Sequence, residues 1–128
     1  VYVDLYSRYD YALAHLRGLE NAHFVPHPFE RQPGAFQFVT LFFPFVFLRD
    51  HLKWGLPRSM FAPEQMLAEA WASVAPGGLL VIVNQGEAEH IAQRDMLKAG
   101  GIPVAAAFCH ESLLYRYDLL RHVLVARR

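Results

Sequence analysis

Hydrophobic residues form one nearly uncharged run from Phe36 to Phe45, rich in Phe and interrupted near its end by Pro44. A short run of this composition is typical of a β-strand that is buried on both faces, as in the middle of a parallel sheet. A second such run, Leu79 to Val83, follows the turn sequence Pro76-Gly-Gly78. The two runs predict the centre of a sheet.

Helical periodicity lies on either side of these strands. Apolar residues recur at helical spacing from Pro63 to about Val74, with proline in a first-turn position. The segment from Glu87 to Lys98 begins with acidic and ends with basic residues, which matches the helix dipole. Shorter patterns predict a helix from Arg8 to Arg17 and a short helix within the segment from Val46 to Leu56.

Four further segments read as strands: Val1 to Asp4, Asn21 to Val25, Ile102 to Phe108 and His122 to Ala126. Strands that alternate with helices predict an α/β fold with a mostly parallel sheet. The last two strands have no helical pattern between them, so we expect them to be antiparallel neighbours. With no repeat or linker composition along the chain, residues 1–128 are predicted to form a single domain.

Composition and charge narrow the class of protein. Lys and Arg together number 12, as do Asp and Glu, so there is no overall basic field and no nucleic-acid partner is predicted. The apolar runs are too short to span a bilayer, which takes roughly 20 residues, so no membrane association is predicted. A single cysteine, Cys109, cannot form a disulfide within the chain, which fits a reducing, cytoplasmic compartment. It lies in an Ala-rich apolar run, which favours a buried, inert thiol over a nucleophile. No Cys/His set has the spacing of a metal site.

Asp4 is the most informative polar residue because it ends a predicted strand just before a helix. Ligands of open α/β sheets bind beyond the carboxyl ends of the strands. A carboxylate there can accept hydrogen bonds from the ribose hydroxyls of an adenosine cofactor. It can equally be an acid that favours the positive end of the helix dipole, and position alone leaves both alternatives open.

The order and spacing of these segments resemble those of the class I S-adenosylmethionine-dependent methyltransferases. The resemblance rests on Val3-Asp4 with its following helix, on Phe36-Gln-Phe-Val39 where the family usually has Phe-Asp-x-Val, on Ala70 to Asn84, and on the ending His122 to Arg127. It implies a three-layer, Rossmann-like sheet with an antiparallel C-terminal strand. It also implies S-adenosylmethionine as cofactor and methyl transfer to a small-molecule acceptor.

The resemblance assigns site residues one by one. Asp4 matches the acid that binds the ribose, and Leu5 matches the apolar residue beside the adenine. His27 lies about where the family often has an Asp that contacts the adenine amine. Phe42 and Phe43 stand in the loop that faces the methionine moiety and the acceptor.

His51 and His110 are the candidates for a general base, because both lie near predicted loops at strand carboxyl ends. A packing or surface role is the alternative for each. Methyl transfer to a good nucleophile depends mainly on alignment, so it does not require such a base.

The family's Gly-rich loop does not precede Asp4, since the chain starts at Val1. We therefore expect an N-terminally incomplete domain whose open sheet edge, at the strand within Phe36 to Phe45, can support self-association. Two alternatives to an active methyltransferase stay open. One is a non-catalytic methyltransferase-like domain or fragment that acts in assembly. The other is a fragment of an NAD-binding oxidoreductase, which also has an acid at this strand end.

Overall fold

The computed structural model describes residues 5–128, with residues 5–9 described by their backbone only. The elements in chain order are α1 (Leu5–Leu16), β1 (Phe36–Phe42), α2 (Leu48–Lys53), a 3-10 helix (Arg58–Met60), α3 (Pro63–Ser73), β2 (Val74–Gln85), α4 (Gly86–Ala99), β3 (Val104–His110) and β4 (Arg121–Arg127). The predicted strand from Val1 to Asp4 lies outside the described residues.

The four described strands form one sheet in the order β1-β2-β4-β3. β1 and β2 are parallel, whereas β4 pairs antiparallel with both β2 and β3. The α/β class and the antiparallel C-terminal strand are therefore confirmed. The prediction of a mostly parallel sheet holds for strand direction, since β1, β2 and β3 run the same way. It is wrong for the pairings, because β4 lies between β2 and β3 and makes two of the three described pairings antiparallel.

The core lies on one face of this sheet. Side chains alternate along β2, so that Leu80 and Ile82 are buried while their neighbours are only partly covered. Both α3 and α4 contribute to the same buried cluster, which consists of Val39, Leu67, Ala70, Val74, Leu80, Ile82, Leu97, Ile102, Leu124 and Ala126. The two helices therefore cover the same face, which we call the helix face, and together with the sheet they form two layers. The third layer stays a prediction.

The other face of the sheet, which we call the open face, carries large exposed aromatic rings. Phe38, Phe42 and Phe108 are 69%, 65% and 52% exposed. Phe38 and Phe42 alternate along β1 with the buried Val39 and the half-buried Leu41. Both faces of β1 thus carry apolar side chains, so its sequence is typical of a strand that is buried on two faces. The described residues cover only one of these faces.

The predicted strand from Asn21 to Val25 is wrong. Residues 17–35 contain no helix or strand, and Val25 is 56% exposed. A short apolar segment becomes a strand only when a neighbour satisfies its backbone hydrogen bonds. No described strand of the sheet lies beside this segment.

The turn expected at Pro76-Gly-Gly78 is contained within β2. Phe36 pairs with Val74 but Phe38 pairs with Leu79, so β2 bulges outward between these pairs. A Cβ atom at Gly78 would lie 2.7 Å from the carbonyl oxygen of Gln37. The close approach of the two backbones therefore requires glycine at this position.

Candidate functional site

The edge of the sheet where β1, β2 and β3 end is the place where open α/β sheets bind ligands. Phe42, Gln85 and His110 are the last residues of these three strands, and Arg121 is the first residue of the reversed strand β4. We call this the carboxyl edge. Its side chains come from segments far apart in sequence, which the parallel arrangement brings together.

Phe43 has the most unusual backbone at this edge. Its φ angle of 54° lies in the left-handed region, which bulky residues rarely adopt. Its N–H donates to the carbonyl oxygen of Val83 at 2.8 Å, which continues the contact between β1 and β2 past the end of β1. Such a conformation costs about 1–3 kcal/mol and clusters at functional sites. Phe43 is thus a specific feature of the edge.

A cleft of about 430 Å³ opens at the carboxyl edge. Its lining residues are Phe42, Phe43, Phe45, Asp50, Trp54, Gln85, Glu89 and Leu119. We call it the edge cleft. It combines apolar rings with two carboxylates, and no Lys or Arg is among these lining residues. The charged groups among its lining residues are therefore both acidic.

The two carboxylates of the edge cleft are held differently. Glu89 accepts a hydrogen bond from the Gln85 N–H at 2.7 Å and so satisfies a backbone donor at the start of α4. Asp50 Oδ1 lies 3.3 Å from Arg49 Nε and 3.8 Å from Lys53 Nζ. Both of these basic side chains are largely exposed, so the pairs are screened by water and leave Asp50 able to interact with a ligand.

A second pocket, of about 380 Å³, lies on the open face beside the edge cleft. It is lined by Phe42, Phe43, Val81, Val83, Phe108, His110, Tyr117, Arg121 and Val123. We call it the face pocket. Phe42 and Phe43 line both pockets and form the wall between them. The face pocket has no carboxylate among these lining residues, so the two pockets differ in charge.

Arg121 lies close to two aromatic rings of the face pocket. Its guanidinium carbon lies 5.0 Å from the centroid of the Phe43 ring and 4.5 Å from that of Tyr117, which are favourable cation–π distances. Nη1 donates to the Leu119 carbonyl oxygen at 3.1 Å, while Nε is buried without a hydrogen-bond partner. Among residues 10–128, no carboxylate oxygen lies within 4.0 Å of this guanidinium.

The structure brings three of the predicted site residues together. Phe42 and Phe43 form the wall between the two pockets, and His110 lines the face pocket with its ring centroid 6.3 Å from that of Tyr117. His110 is exposed, so a ligand in this pocket can reach it.

His51 is not among the lining residues of either pocket. It is 4% exposed, and its Nε2 donates to the Pro57 carbonyl oxygen at 2.9 Å. Its ring packs edge-on against Phe45 and Phe61 at centroid distances of 5.7 and 5.3 Å. These contacts favour the packing alternative.

The residues expected to bind the adenosine are not assembled by the described structure. His27 is exposed in the long loop before β1, and its Nδ1 lies 2.8 Å from the Pro28 carbonyl oxygen. Asp4 lies outside the described residues. Leu5 is the first residue of α1, and its side chain is not described. The ribose and adenine contacts therefore stay predictions.

Sequence reasoning missed Arg121 and Tyr117. The connection between β3 and β4 has no helical pattern, and its residues match none of the motifs that predict a site. The available signal was a basic residue four positions after Tyr117, in a connection that also contains Tyr115, and two positions before the apolar run that begins at Val123. Arginine between aromatic residues is a common way to hold a guanidinium in place.

A separate polar cluster lies on the helix face. His122 Nδ1 lies 3.4 Å from Cys109 Sγ, and His122 Nε2 lies 3.5 Å from Glu87 Oε2. The prediction that Cys109 is buried is wrong: the thiol is exposed, because β3 is an edge strand of the described sheet.

His90 stacks on His122 in this cluster, with ring centroids 4.5 Å apart. Burial holds the pKa of His90 below its ordinary value. The positive charges of His122 and Arg94 act in the same direction, while Glu87 opposes them.

Over the described part of the chain, no three His, Cys, Asp or Glu side chains are arranged to hold a metal ion. None of the described helices combines the length and the apolar character needed to cross a bilayer.

Comparison with known proteins gives matches among solved structures only. No protein-family model and no curated protein matches the sequence. An S-adenosylmethionine-dependent methyltransferase of the DUF858 family from Leishmania major superposes with a TM-score of 0.66 at 12% identity, over 93% of this chain and 50% of that one. One from Aquifex aeolicus superposes with a TM-score of 0.59 at 14% identity, over 94% of this chain and 62% of that one.

This chain thus spans only part of each matched protein. A candidate DNA modification methylase from Thermus thermophilus also matches, but its TM-score of 0.48 is too low to carry an argument about the acceptor. At these identities the likeness concerns the fold alone. The chain has the fold of the class I S-adenosylmethionine-dependent methyltransferases.

Proposed function

We propose that this chain binds S-adenosylmethionine and takes part in methyl transfer to a small-molecule acceptor. The observation that carries the proposal is the superposition, at a TM-score of 0.66 and over 93% of the chain, on an S-adenosylmethionine-dependent methyltransferase. Fold alone does not establish an activity. The geometry of the carboxyl edge adds independent support.

The edge cleft suits the reacting end of such a cofactor. S-adenosylmethionine supplies a methyl group on a positively charged sulfur. Asp50 and Glu89 bring negative charge to a cleft otherwise lined largely by apolar rings, and opposite charges attract more strongly where water is partly excluded. Phe42 and Phe43 would contact the methionine end, as the sequence resemblance implies.

The adenosine end would be held by residues near the N-terminus. Asp4 would accept hydrogen bonds from the ribose hydroxyls, Leu5 would pack beside the adenine, and His27 would stand near the adenine amine. These three roles come from the sequence resemblance.

Catalysis on this scaffold needs alignment more than proton transfer. When bound, S-adenosylmethionine would supply the methyl group, and the residues of the two pockets would hold the acceptor atom in line with it. Holding the acceptor and the methyl group in one geometry is worth several orders of magnitude in rate. Where the acceptor must lose a proton, His110 is the better placed base, because it is exposed in the face pocket whereas His51 is buried and hydrogen-bonded.

The test is calorimetric titration of the chain with S-adenosylhomocysteine and, separately, with NAD. We expect heat with S-adenosylhomocysteine only. Asp4→Asn should weaken binding by roughly 10-fold or more, since a hydrogen bond to a charged group is worth about 1.5–3 kcal/mol. Asp10→Asn, which removes an exposed acid of α1, should not change it.

The other possible results of these titrations would favour other functions. Heat with NAD alone would favour the oxidoreductase. Heat with neither would favour a non-catalytic role in assembly. Unchanged affinity in the Asp4→Asn variant would remove Asp4 from the site.

A further inference from the structure

We propose that the face pocket binds a small monocarboxylate with an apolar body, and that Arg121 holds its carboxylate. As the identity of the methyl acceptor, this inference rests on the proposed function. As a binding site it stands by itself, because its evidence comes from the charge and shape of the pocket.

The charge of Arg121 calls for an anion. The side chain is half-buried, its Nε is buried without a hydrogen-bond partner, and none of the ion pairs among residues 10–128 involves it. A partly desolvated charge is costly unless an opposite charge or hydrogen-bond acceptors compensate it. The Leu119 carbonyl oxygen is the acceptor seen for this guanidinium, at 3.1 Å. A bound anion would complete the compensation.

The two aromatic rings near Arg121 limit the directions from which a ligand can approach it. Phe43 lies 5.0 Å from the guanidinium carbon and Tyr117 lies 4.5 Å from it. When its faces pack against aromatic rings, a guanidinium keeps its edge, where the N–H groups point, available to a ligand. A planar carboxylate matches that edge. The stack also limits the rotation of the side chain, so less conformational freedom is lost when a ligand binds.

The remaining walls determine the rest of the ligand. Val81, Val83 and Val123 of the open face and the Phe108 ring form an apolar floor. The other titratable groups among the lining residues are His110 and Tyr117, so Arg121 is the one permanent charge among them. A single cation balances a monoanion rather than a phosphate dianion. A volume of about 380 Å³ fits a small molecule with one ring.

The position of the face pocket connects it with methyl transfer. Phe42 and Phe43 line both this pocket and the edge cleft, so the two pockets are neighbours. A carboxylate fixed at Arg121 therefore leaves the rest of the molecule next to the cleft in which we place the transferable methyl group. The unusual backbone of Phe43 is explained by this double role, because one residue forms the wall and also stacks on the guanidinium.

The experiment compares two probes of the same shape, phenylacetate and its neutral counterpart phenylacetamide, by ligand-observed NMR titration of the full chain. The wild-type chain should bind the carboxylate at least 10-fold more tightly than the amide. Arg121→Gln should abolish that preference while the affinity for the amide changes little. Arg116→Gln removes an exposed arginine of the same connection and should keep the preference.

The comparison of the two probes on the wild-type chain does not depend on whether any variant folds. Tyr117→Leu, which keeps the charge and removes one stacking ring, should reduce the preference partially. Equal affinity for the two probes, no binding of phenylacetate at millimolar concentration, or an equal loss in Arg116→Gln and Arg121→Gln would each overturn the inference. Phenylacetate binding without S-adenosylhomocysteine binding would support the carboxylate site and reject the proposed function. S-adenosylhomocysteine binding without phenylacetate binding would support the proposed function and reject the carboxylate site.

Discussion

Phe43 links the backbone geometry of the carboxyl edge to its chemistry. Its φ of 54° is unfavourable for a residue with a Cβ atom, yet its ring is 40% exposed and so gains only part of the stability that full burial would give. Packing in the hydrophobic core therefore does not account for a phenylalanine in this strained, partly exposed position. The stack on Arg121 and the walls of two pockets are the contacts that explain it.

This explanation predicts that Phe43→Gly leaves the free energy of unfolding within about 1 kcal/mol of the wild type, because relief of about 1–3 kcal/mol of strain offsets the lost ring contacts. The same change at Phe42 removes a ring that is more exposed, 65% against 40%, but it does so in an extended strand, where glycine costs conformational entropy and relieves no strain. Phe42→Gly should therefore be the more destabilising of the two in urea unfolding. A larger loss in Phe43→Gly would mean that the ring is a core contact.

The lowered pKa of His90 makes the stability of the folded chain depend on pH. Its pKa is lowered in the folded chain, first by burial and then by the charges of His122 and Arg94, with Glu87 acting against them. The unfolded chain, with a pKa of about 6.5, then binds the proton more readily than the folded chain does. Stability is complete above about pH 6.5 and falls as the pH drops from there towards the lower pKa of the folded state.

We expect the urea midpoint of the wild-type chain to fall between about pH 7.5 and pH 5.5, and to fall less in His90→Gln. His23→Gln, a change at an exposed histidine in the loop before β1, serves as the matched control. If the His90→Gln chain shows the same fall as the wild type, then other groups cause the pH dependence.

Among the elements, β2 contains a sequence motif that forms a turn and is also part of a strand. Pro76-Gly-Gly78 reads as a turn, and Gly77 does have a positive φ of 79°. The strand nevertheless continues through it, because the Gly77 N–H donates to the Arg128 carbonyl oxygen at 2.7 Å and the Arg128 N–H donates to that of Gly78 at 3.1 Å. The local turn and the sheet pairing therefore coexist as a bulge.

The bulge predicts different costs at its two glycines. Gly78→Ala places a methyl group 2.7 Å and 2.9 Å from two carbonyl oxygens, of Gln37 and Ala75, and should destabilise the chain by about 1–3 kcal/mol or more. Gly77→Ala meets open space and has only its positive φ to overcome, at about 1–2 kcal/mol. Urea unfolding of both variants checks the order. Equal stability of the two would show that β1 and β2 separate easily at this point.

The elements also show what could be predicted from the sequence. The runs that became β1, β2, β4, α3 and α4 were strong, since each combines a clear period with recognisable ends. The prediction of a strand from Asn21 to Val25 was wrong, because a segment of five residues with three apolar side chains forms a strand only beside a partner strand. The contact between Phe43, Tyr117 and Arg121 could not be predicted, because it joins three segments through the tertiary fold and an irregular connection.

At the scale of the whole molecule, the two faces of the sheet are unequal. The helix face holds the core cluster, while the open face exposes Phe38, Phe42 and Phe108 over the described residues. β1 is an edge strand of the described sheet, so self-association through that edge stays a prediction. The functional proposal is insensitive to it, because both pockets are built at the end of the sheet.

The central claim is that the carboxyl edge of this fold receives the cofactor. Titration with S-adenosylhomocysteine, followed through the backbone amide signals in two-dimensional NMR, tests it most directly. We expect the largest changes at Phe43, Phe45 and Gln85, and none at Gly77 or Arg128 at the opposite end of the sheet. Changes confined to the opposite end, or no changes at saturating ligand, would contradict the account.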